Sequence, residues 1–267
     1  ERWILHNLNS ACEEVSECFG KYRFNDAAAR LYDFIWHKYC DWFLEISKLS
    51  RDKARTGRVL MRVLKTSMQL LHPIMPFLTE AVWQMTRSSC PDFIAVSKWP
   101  GTKSEWMDEQ SSVKMEKIIS CVSAVRNIRA FWNVGLSVKL DVHFDVTSVE
   151  DEKLITENSY LLEKLASCSV CSSGIGTARP DKSVAAIVGG LKLFVPLGTT
   201  VDIDQEKKRV KDKIAEIERY LKGVEKKLSN QDFVSKAPRE VVEKEKNKIV
   251  KFRQEADNLI ENLEALV

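Results

Sequence analysis

Five cations, Arg51, Arg55, Arg58, Arg62 and Lys65, recur at steps of four, three, four and three residues. On a helix this spacing gathers them within about 80° of one another, with Leu60, Leu64, Ser67 and Leu71 on the opposite side. Like charges so placed repel by a few tenths of a kcal/mol per pair, and a phosphate backbone alongside converts that cost into attraction. The alternative is a solvated helix face whose cations meet acids from neighbouring helices. Arg126 and Arg129 sit one turn apart beside the apolar ridge of Val125-Arg-Asn-Ile-Arg-Ala130, a placement that suits RNA docking and local ion pairing equally. Lys226 and Lys227 precede a segment, residues 229–238, that holds Phe233 and Lys236. A basic tip bearing an aromatic ring suits a shaped RNA surface; as an ordinary connection, Phe233 would pack inward. Aromatic residues are dense at Tyr32, Phe34, Trp36, Tyr39, Trp42 and Phe43. Their helical spacing assigns most to a core, and Trp36 or Tyr39, if exposed, could stack on an unpaired base.

Signals for catalysis are weak by comparison. Cys168-Ser-Val-Cys171 is a lone C-x-x-C with no second pair at zinc spacing. A redox protein built on these two residues would need a depressed thiol pKa. Gly174-Ile-Gly176 is half of a dinucleotide-binding fingerprint, and no phosphate-binding G-x-x-x-x-G-K-[ST] loop occurs. The four histidines, His6, His37, His72 and His143, are dispersed. No catalytic residue and no metal ligand is assigned.

Composition sets the bounds. With 267 residues, 44% of them hydrophobic, the chain can fill about two cores. Its 41 basic residues nearly balance 38 acidic ones, leaving a net charge of +3, so contact with nucleic acid must come from local patches. An odd count of 7 cysteines in a chain of this size reads as reduced thiols of a cytoplasmic protein. No apolar run approaches the ~20 residues of a membrane span. The first residues already belong to an amphipathic helix and show no leader pattern, so the natural chain is expected to begin upstream.

Three regions must position these residues. Residues 1–92 read as an antiparallel helix bundle. In it Ile4, Leu8, Ala11, Cys12, Val15 and Phe19 mark a helix over 2–19, and Asn25 is the expected N-cap of a second helix through Leu31, Ile35, Trp42 and Ile46. A third helix from about residue 51 ends at Pro73, and Pro76 opens a fourth. Residues 93–203 read as a helix through Phe131 followed by a small α/β junction. Its marks are an alternating strand over 138–146, a helix over about 150–166, and a hairpin around Gly189-Gly190. Residues 204–267 carry two heptad series, Val210 to Leu228 and Val242 to Leu266, with Glu245 as a polar seam position. Two such helices bury their seams on each other as an antiparallel coiled-coil hairpin, roughly 35 Å long. The chain is therefore mainly α.

Residues 22–45 (Y-R-F-N-D-A-A-A-R-L-Y-D-F-I-W-H-K-Y-C-D-W-F-L-E) and 71–84 (L-H-P-I-M-P-F-L-T-E-A-V-W-Q), with R-W-I-L at 2–5, carry a family signature. They resemble the anticodon-binding bundle of class I aminoacyl-tRNA synthetases of the valine, isoleucine and leucine group. The stretch K-K-L-S-N-Q-D-F-V-S-K-A-P-R-E-V-V-E-K-E at 226–245, and Leu193-Phe-Val-Pro-Leu197 followed by Val201-Asp-Ile-Asp204, are similar to the terminal arm of the valyl-tRNA synthetases. The resemblance implies an enzyme that joins valine to tRNA-Val through a valyl-adenylate. It places ATP (with Mg) on a catalytic domain outside this chain and no cofactor within it. It also implies that the bundle holds the anticodon arm, that the coiled coil braces the outer corner of the tRNA, and that the enzyme is a monomer with no DNA or membrane partner. The H-x-G-H and K-M-S-K-S signatures of adenylate chemistry and the editing domain are missing. So is the W-N-A-x-R-F-like helix that precedes the family's bundle. A helical scaffold that recruits a protein through its coiled coil is the alternative, and would be marked by apolar residues on the outside of the arm.

Overall fold

A computed structural model describes residues 1–86, 93–198, 203–229, 247–250, 252–253, 256–257, 259–260 and 263–264. The chain divides into two compact units, Glu1–Ser120 and Cys121–Val267, the division falling inside a single helix.

The first unit is helical. Helix α1 (Arg2–Gly20) buries Trp3, Ile4, Leu8, Ala11, Cys12, Val15 and Cys18 on one stripe, as its 3–4 spacing requires. Tyr22 then adopts a left-handed conformation, φ 56°. This turns the Arg23 N–H back onto the Cys18 carbonyl at 2.8 Å, closing α1 and starting α2 (Phe24–Tyr32) in one step. Asn25 is consequently not the cap: the helix has begun before it, Arg23 occupies the capping position, and no side chain caps it.

From Asp33 to Phe43 the helix widens to π pitch before continuing as α3 (Leu44–Lys48). The buried positions here are Leu31, Phe34, Tyr39 and Phe43, whereas Ile35, Trp42 and Ile46 lie at intermediate depth. The five-residue step from Phe34 to Tyr39 is the recurrence of an i→i+5 helix, which a 3.6-residue reading does not anticipate. Helix α4 (Lys53–Leu71) begins where the Asp52 carboxylate accepts the Arg55 N–H at 2.9 Å. Pro73 ends it, and α5 (Pro76–Thr86) opens on its own proline. Met68, Trp83 and Ile94 join these two helices in a small apolar cluster.

A strap from Phe93 onward runs beside α1. The Trp99 indole N–H reaches Ser16 Oγ at 2.8 Å, the Lys103 N–H reaches Asn9 Oδ1 at 2.6 Å, and the Asp108 N–H reaches His6 Nδ1 at 3.2 Å. Helix α6 (Glu109–Phe131) then contributes Met115 and Ile119 to the α1–α4 core. Glu116 gathers the polar seam of this core, accepting from Trp3 Nε1 at 3.0 Å and from Lys38 Nζ at 3.1 Å.

The second unit contains a four-stranded mixed sheet of order β2-β1-β4-β3. Strand β1 (Leu140–Val146) alternates buried and more exposed residues, so one of its faces is core and the other wet. Ser148 caps α7 (Val149–Glu157), and Asn158 separates it from α8 (Ser159–Ala166). The sequence predicts one helix over about 150–166, where the structure has two. The Asn158 amide, bonded to the Leu154 carbonyl at 2.8 Å, makes the break. These helices carry the chain to β2 (Cys168–Ile175), which runs parallel to β1 and which alternation does not reveal. Strands β3 (Ser183–Val188) and β4 (Leu191–Pro196) form the expected hairpin. Gly189 and Gly190 sit at φ 55° and 84°, the paired positive values of a type I′ turn.

Helix α9 (Ile203–Leu228) follows. Its Val210, Ile217 and Leu221 share an apolar cluster with Ala256 and Leu259, joined by Ile214, Ile249, Phe252 and Leu263. Tyr220 packs on Phe252 at 4.8 Å, and Glu225 pairs with Arg253 at 2.6 Å. The two heptad series thus meet along one seam, as a coiled-coil hairpin requires.

Candidate nucleic-acid interface

Helix α4 places the first group of cations. Arg55, Arg58 and Arg62 are exposed on the face away from Val63 and Leu70, which are fully buried. Arg55 is engaged by Glu1 at 2.6 Å. Arg58 and Arg62 have no ion-pair or hydrogen-bond partner among the described residues. Lys65 is half-buried, its ammonium 5.9 Å from the Trp83 ring centroid. Arg51 falls outside the stripe, because α4 starts at Lys53 and a residue ahead of the Asp52 cap is not bound to the helical wheel.

Arg126 and Arg129 both donate to backbone carbonyls, Arg129 buried and Arg126 exposed. The Arg129 guanidinium, only 4% exposed, donates to the carbonyls of Gly135 (2.7 Å), Val138 (2.9 Å), Ala166 (3.4 Å) and Ser167 (2.8 Å). Arg126 donates twice to the Leu165 carbonyl, at 2.9 and 2.7 Å. Both cations therefore sit at the C-terminus of α8, where the helix dipole and the terminal carbonyls favour positive charge. Arg129 is a buried structural cation unable to reach an external ligand, its guanidinium taken up by backbone carbonyls.

The aromatic candidates also separate. Tyr39 is buried, 6% exposed, with its hydroxyl donating to the Leu60 carbonyl at 3.3 Å, and burial pushes its phenol up to about 12. It cannot stack on a base, because the π-helical step turns it inward. Trp36 is 51% exposed and lies parallel to Tyr32, ring centroids 6.3 Å apart. Acidic Asp33 and Asp41 are exposed on the same stretch of helix, an unfavourable setting for phosphate.

On the arm, Lys226 and Lys227 are exposed in the last turn of α9, and Lys236 lies outside the described residues. A larger feature on α9 escaped the sequence reading. Lys208, Lys211, Arg219, Lys222 and Lys226 are all exposed and recur at steps of three, eight, three and four residues. That spacing confines them to a stripe about 80° wide and roughly 27 Å long. The spacing was present in the sequence, but the heptad seam dominates the pattern and draws attention to the opposite, buried side. Arg209, next to this stripe, anchors the root of the arm by donating to the Phe131 carbonyl at 3.0 Å.

The cysteine pair does not form a centre. Cys168 is buried, its thiol pushed up to about 11 by desolvation. Cys171 is exposed and raised as well, chiefly by desolvation. It falls where the β1–β2 register skips from Val170 to Ser172, so a bulge carries it out of the pairing. A redox role needs thiols shifted the other way. Among the described residues, no group of three His, Cys, Asp or Glu could hold a metal ion, and no helix is long and apolar enough to cross a membrane.

Comparison with known proteins gives two family matches. The anticodon-binding domain of tRNA ligase matches residues 1–144, and the valyl tRNA synthetase tRNA binding arm matches residues 202–267. Among similar curated proteins, the valine–tRNA ligase of Oceanobacillus iheyensis is 40% identical over 257 residues, covering 93% of this chain and 29% of that protein. The valine–tRNA ligase of Geobacter sulfurreducens is 36% identical over 273 residues, covering 100% of this chain and 31% of that protein. That of Thermotoga maritima is 35% identical over 255 residues, covering 93% and 28%. The chain spans less than a third of the length of these relatives.

Proposed function

The chain belongs to the family of tRNA-ligase anticodon-binding domains, and on that premise we propose that it is the tRNA-positioning C-terminal portion of a valine–tRNA ligase. The observation that carries this reading is the succession, on one chain, of an anticodon-domain match and a tRNA-arm match. The proposed partner is tRNA-Val. Arg58 and Arg62 on α4, with Arg55 and Lys65 beside them, meet phosphates of the anticodon arm. The α9 stripe of Lys208, Lys211, Arg219, Lys222 and Lys226 meets phosphates elsewhere on the tRNA. Such contacts fix orientation without reading sequence.

In this reading the chemistry lies outside the chain. ATP with magnesium activates valine on the catalytic portion, in a monomeric cytoplasmic enzyme. The chain's task is to hold the tRNA body so that its acceptor end reaches that site. Remote binding interactions of this kind lower the barrier to transfer by fixing geometry in advance. A protein-recruiting scaffold is not favoured, because the outward positions of α9 are dominated by Lys, Arg, Glu and Asp.

The test is binding of the chain to a tRNA-Val transcript and to an unrelated tRNA across a salt series. Salt-sensitive binding to both is expected. Arg58→Ala with Arg62→Ala should weaken both and reduce the slope of log K against log salt by about 2. Absence of binding at low salt, or a slope untouched by the double substitution, would remove the α4 face from the reading.

A further inference from the structure

Helix α5 has an anomaly that the proposed tRNA contacts leave unused. Its inner side is conventional, with Thr79 and Trp83 buried. Its outer side is apolar too. Phe77 is 91% exposed, Met85 85% and Leu78 52%, with Met75 at 44% and Ile74 at 37% in the turn just before it. On the helical wheel Phe77, Leu78, Ala81 and Met85 lie together, and no charge interrupts them. The only charged residue of α5, Glu80, is turned away: it accepts the Ile94 N–H at 3.0 Å and the Gln84 amide at 2.6 Å. An exposed helix face this apolar ordinarily packs against another surface. Side chains so exposed make a patch on the order of 500 Å², at the upper end of what a monomer leaves open.

We propose that this outer face of α5 is the seat of the remainder of the same, longer polypeptide, the part that the relatives have beyond the stretch matched here. The proposal rests on the reading of the chain as a portion of a valine–tRNA ligase, in which the matched stretch is 28 to 31% of the relatives' length. A covalently tethered neighbour is present at roughly millimolar effective concentration and needs no charge to steer it. Permanent interfaces are correspondingly apolar, which is the composition of this face. RNA is a poor fit, since among the described residues this face offers no cation to a phosphate.

The experiment is hydrogen–deuterium exchange of α5 peptides, without tRNA, in the 267-residue chain and in the full-length enzyme. Protection in the full-length enzyme should be at least about tenfold greater. Phe77→Ser with Met85→Ser should abolish that difference and lower the full-length Tm by several degrees. The same pair should leave the Tm of the shorter chain within about 2 °C, since both side chains are solvated there. Equal exchange in the two proteins overturns the proposal. So does protection of the shorter chain that grows with its concentration, which would assign the face to a second copy, or protection appearing only on addition of tRNA, which would assign it to RNA. A full-length enzyme that charges no tRNA with valine would defeat the functional reading while leaving the exchange comparison decisive for the docking face.

Discussion

Arg58 and Arg129 look alike in sequence, each an arginine on a helix with a second cation one turn away, yet their surroundings give them opposite roles. Arg58 faces solvent with no partner among the described residues. Arg129 is sealed among four backbone carbonyls. Removing a buried charge's side chain leaves those acceptors unpaired, whereas removing an exposed one leaves nothing unsatisfied. Arg129→Ala should therefore cost about 3 kcal/mol or more of unfolding free energy, measured by urea denaturation, and Arg58→Ala should stay within about 0.5 kcal/mol. An Arg129→Ala protein as stable as the parent would mean that the four carbonyls find other donors.

At the scale of elements, helix α4 combines three requirements that pull against each other. It must bury Val63 and Leu70, hold cations together on the other side, and tolerate Gly57 in its interior. An interior glycine weakens a helix through backbone entropy. A Cβ built at Gly57 meets nothing within 4 Å, so no close approach requires the glycine. Gly57→Ala should raise stability by about 0.5–1 kcal/mol, read from the shift of the urea midpoint at unchanged slope. A loss instead would mean that the glycine serves the neighbouring arginines through backbone freedom. The π-helical stretch from Asp33 to Phe43 is a second elemental compromise, since it turns Tyr39 into the core and leaves Trp36 outside.

For the whole molecule, the arm is the part whose effect should be separable from chemistry. Its own apolar cluster is formed by the two heptad series, with Phe131 at its root. In a full-length valine–tRNA ligase, deletion of residues 204–267 should weaken aminoacylation of tRNA while sparing valine-dependent ATP–pyrophosphate exchange, because only the first reaction needs the tRNA body placed. Equal loss of both activities would show instead that the arm supports the catalytic portion itself.

Much of this architecture was legible in the residues. The α1 stripe, the two prolines that separate α4 from α5, the Gly189-Gly190 turn and the heptad seam are local signals. Each follows from the period of a helix or strand or from a backbone restriction, and none needs a distant residue to define it. The family signature likewise lay in contiguous segments. What the tertiary structure decided was which cations are free. Arg126 and Arg129 were taken by the end of α8, tens of residues away, and Tyr39 was turned inward by a change of helical pitch. Strand β2 was hidden because it is a parallel strand at the sheet's edge, with a bulge that breaks its alternation. The outer face of α5 was invisible for a related reason. Periodicity identifies residues that need burial, but only the packed fold shows which of them have been left without it.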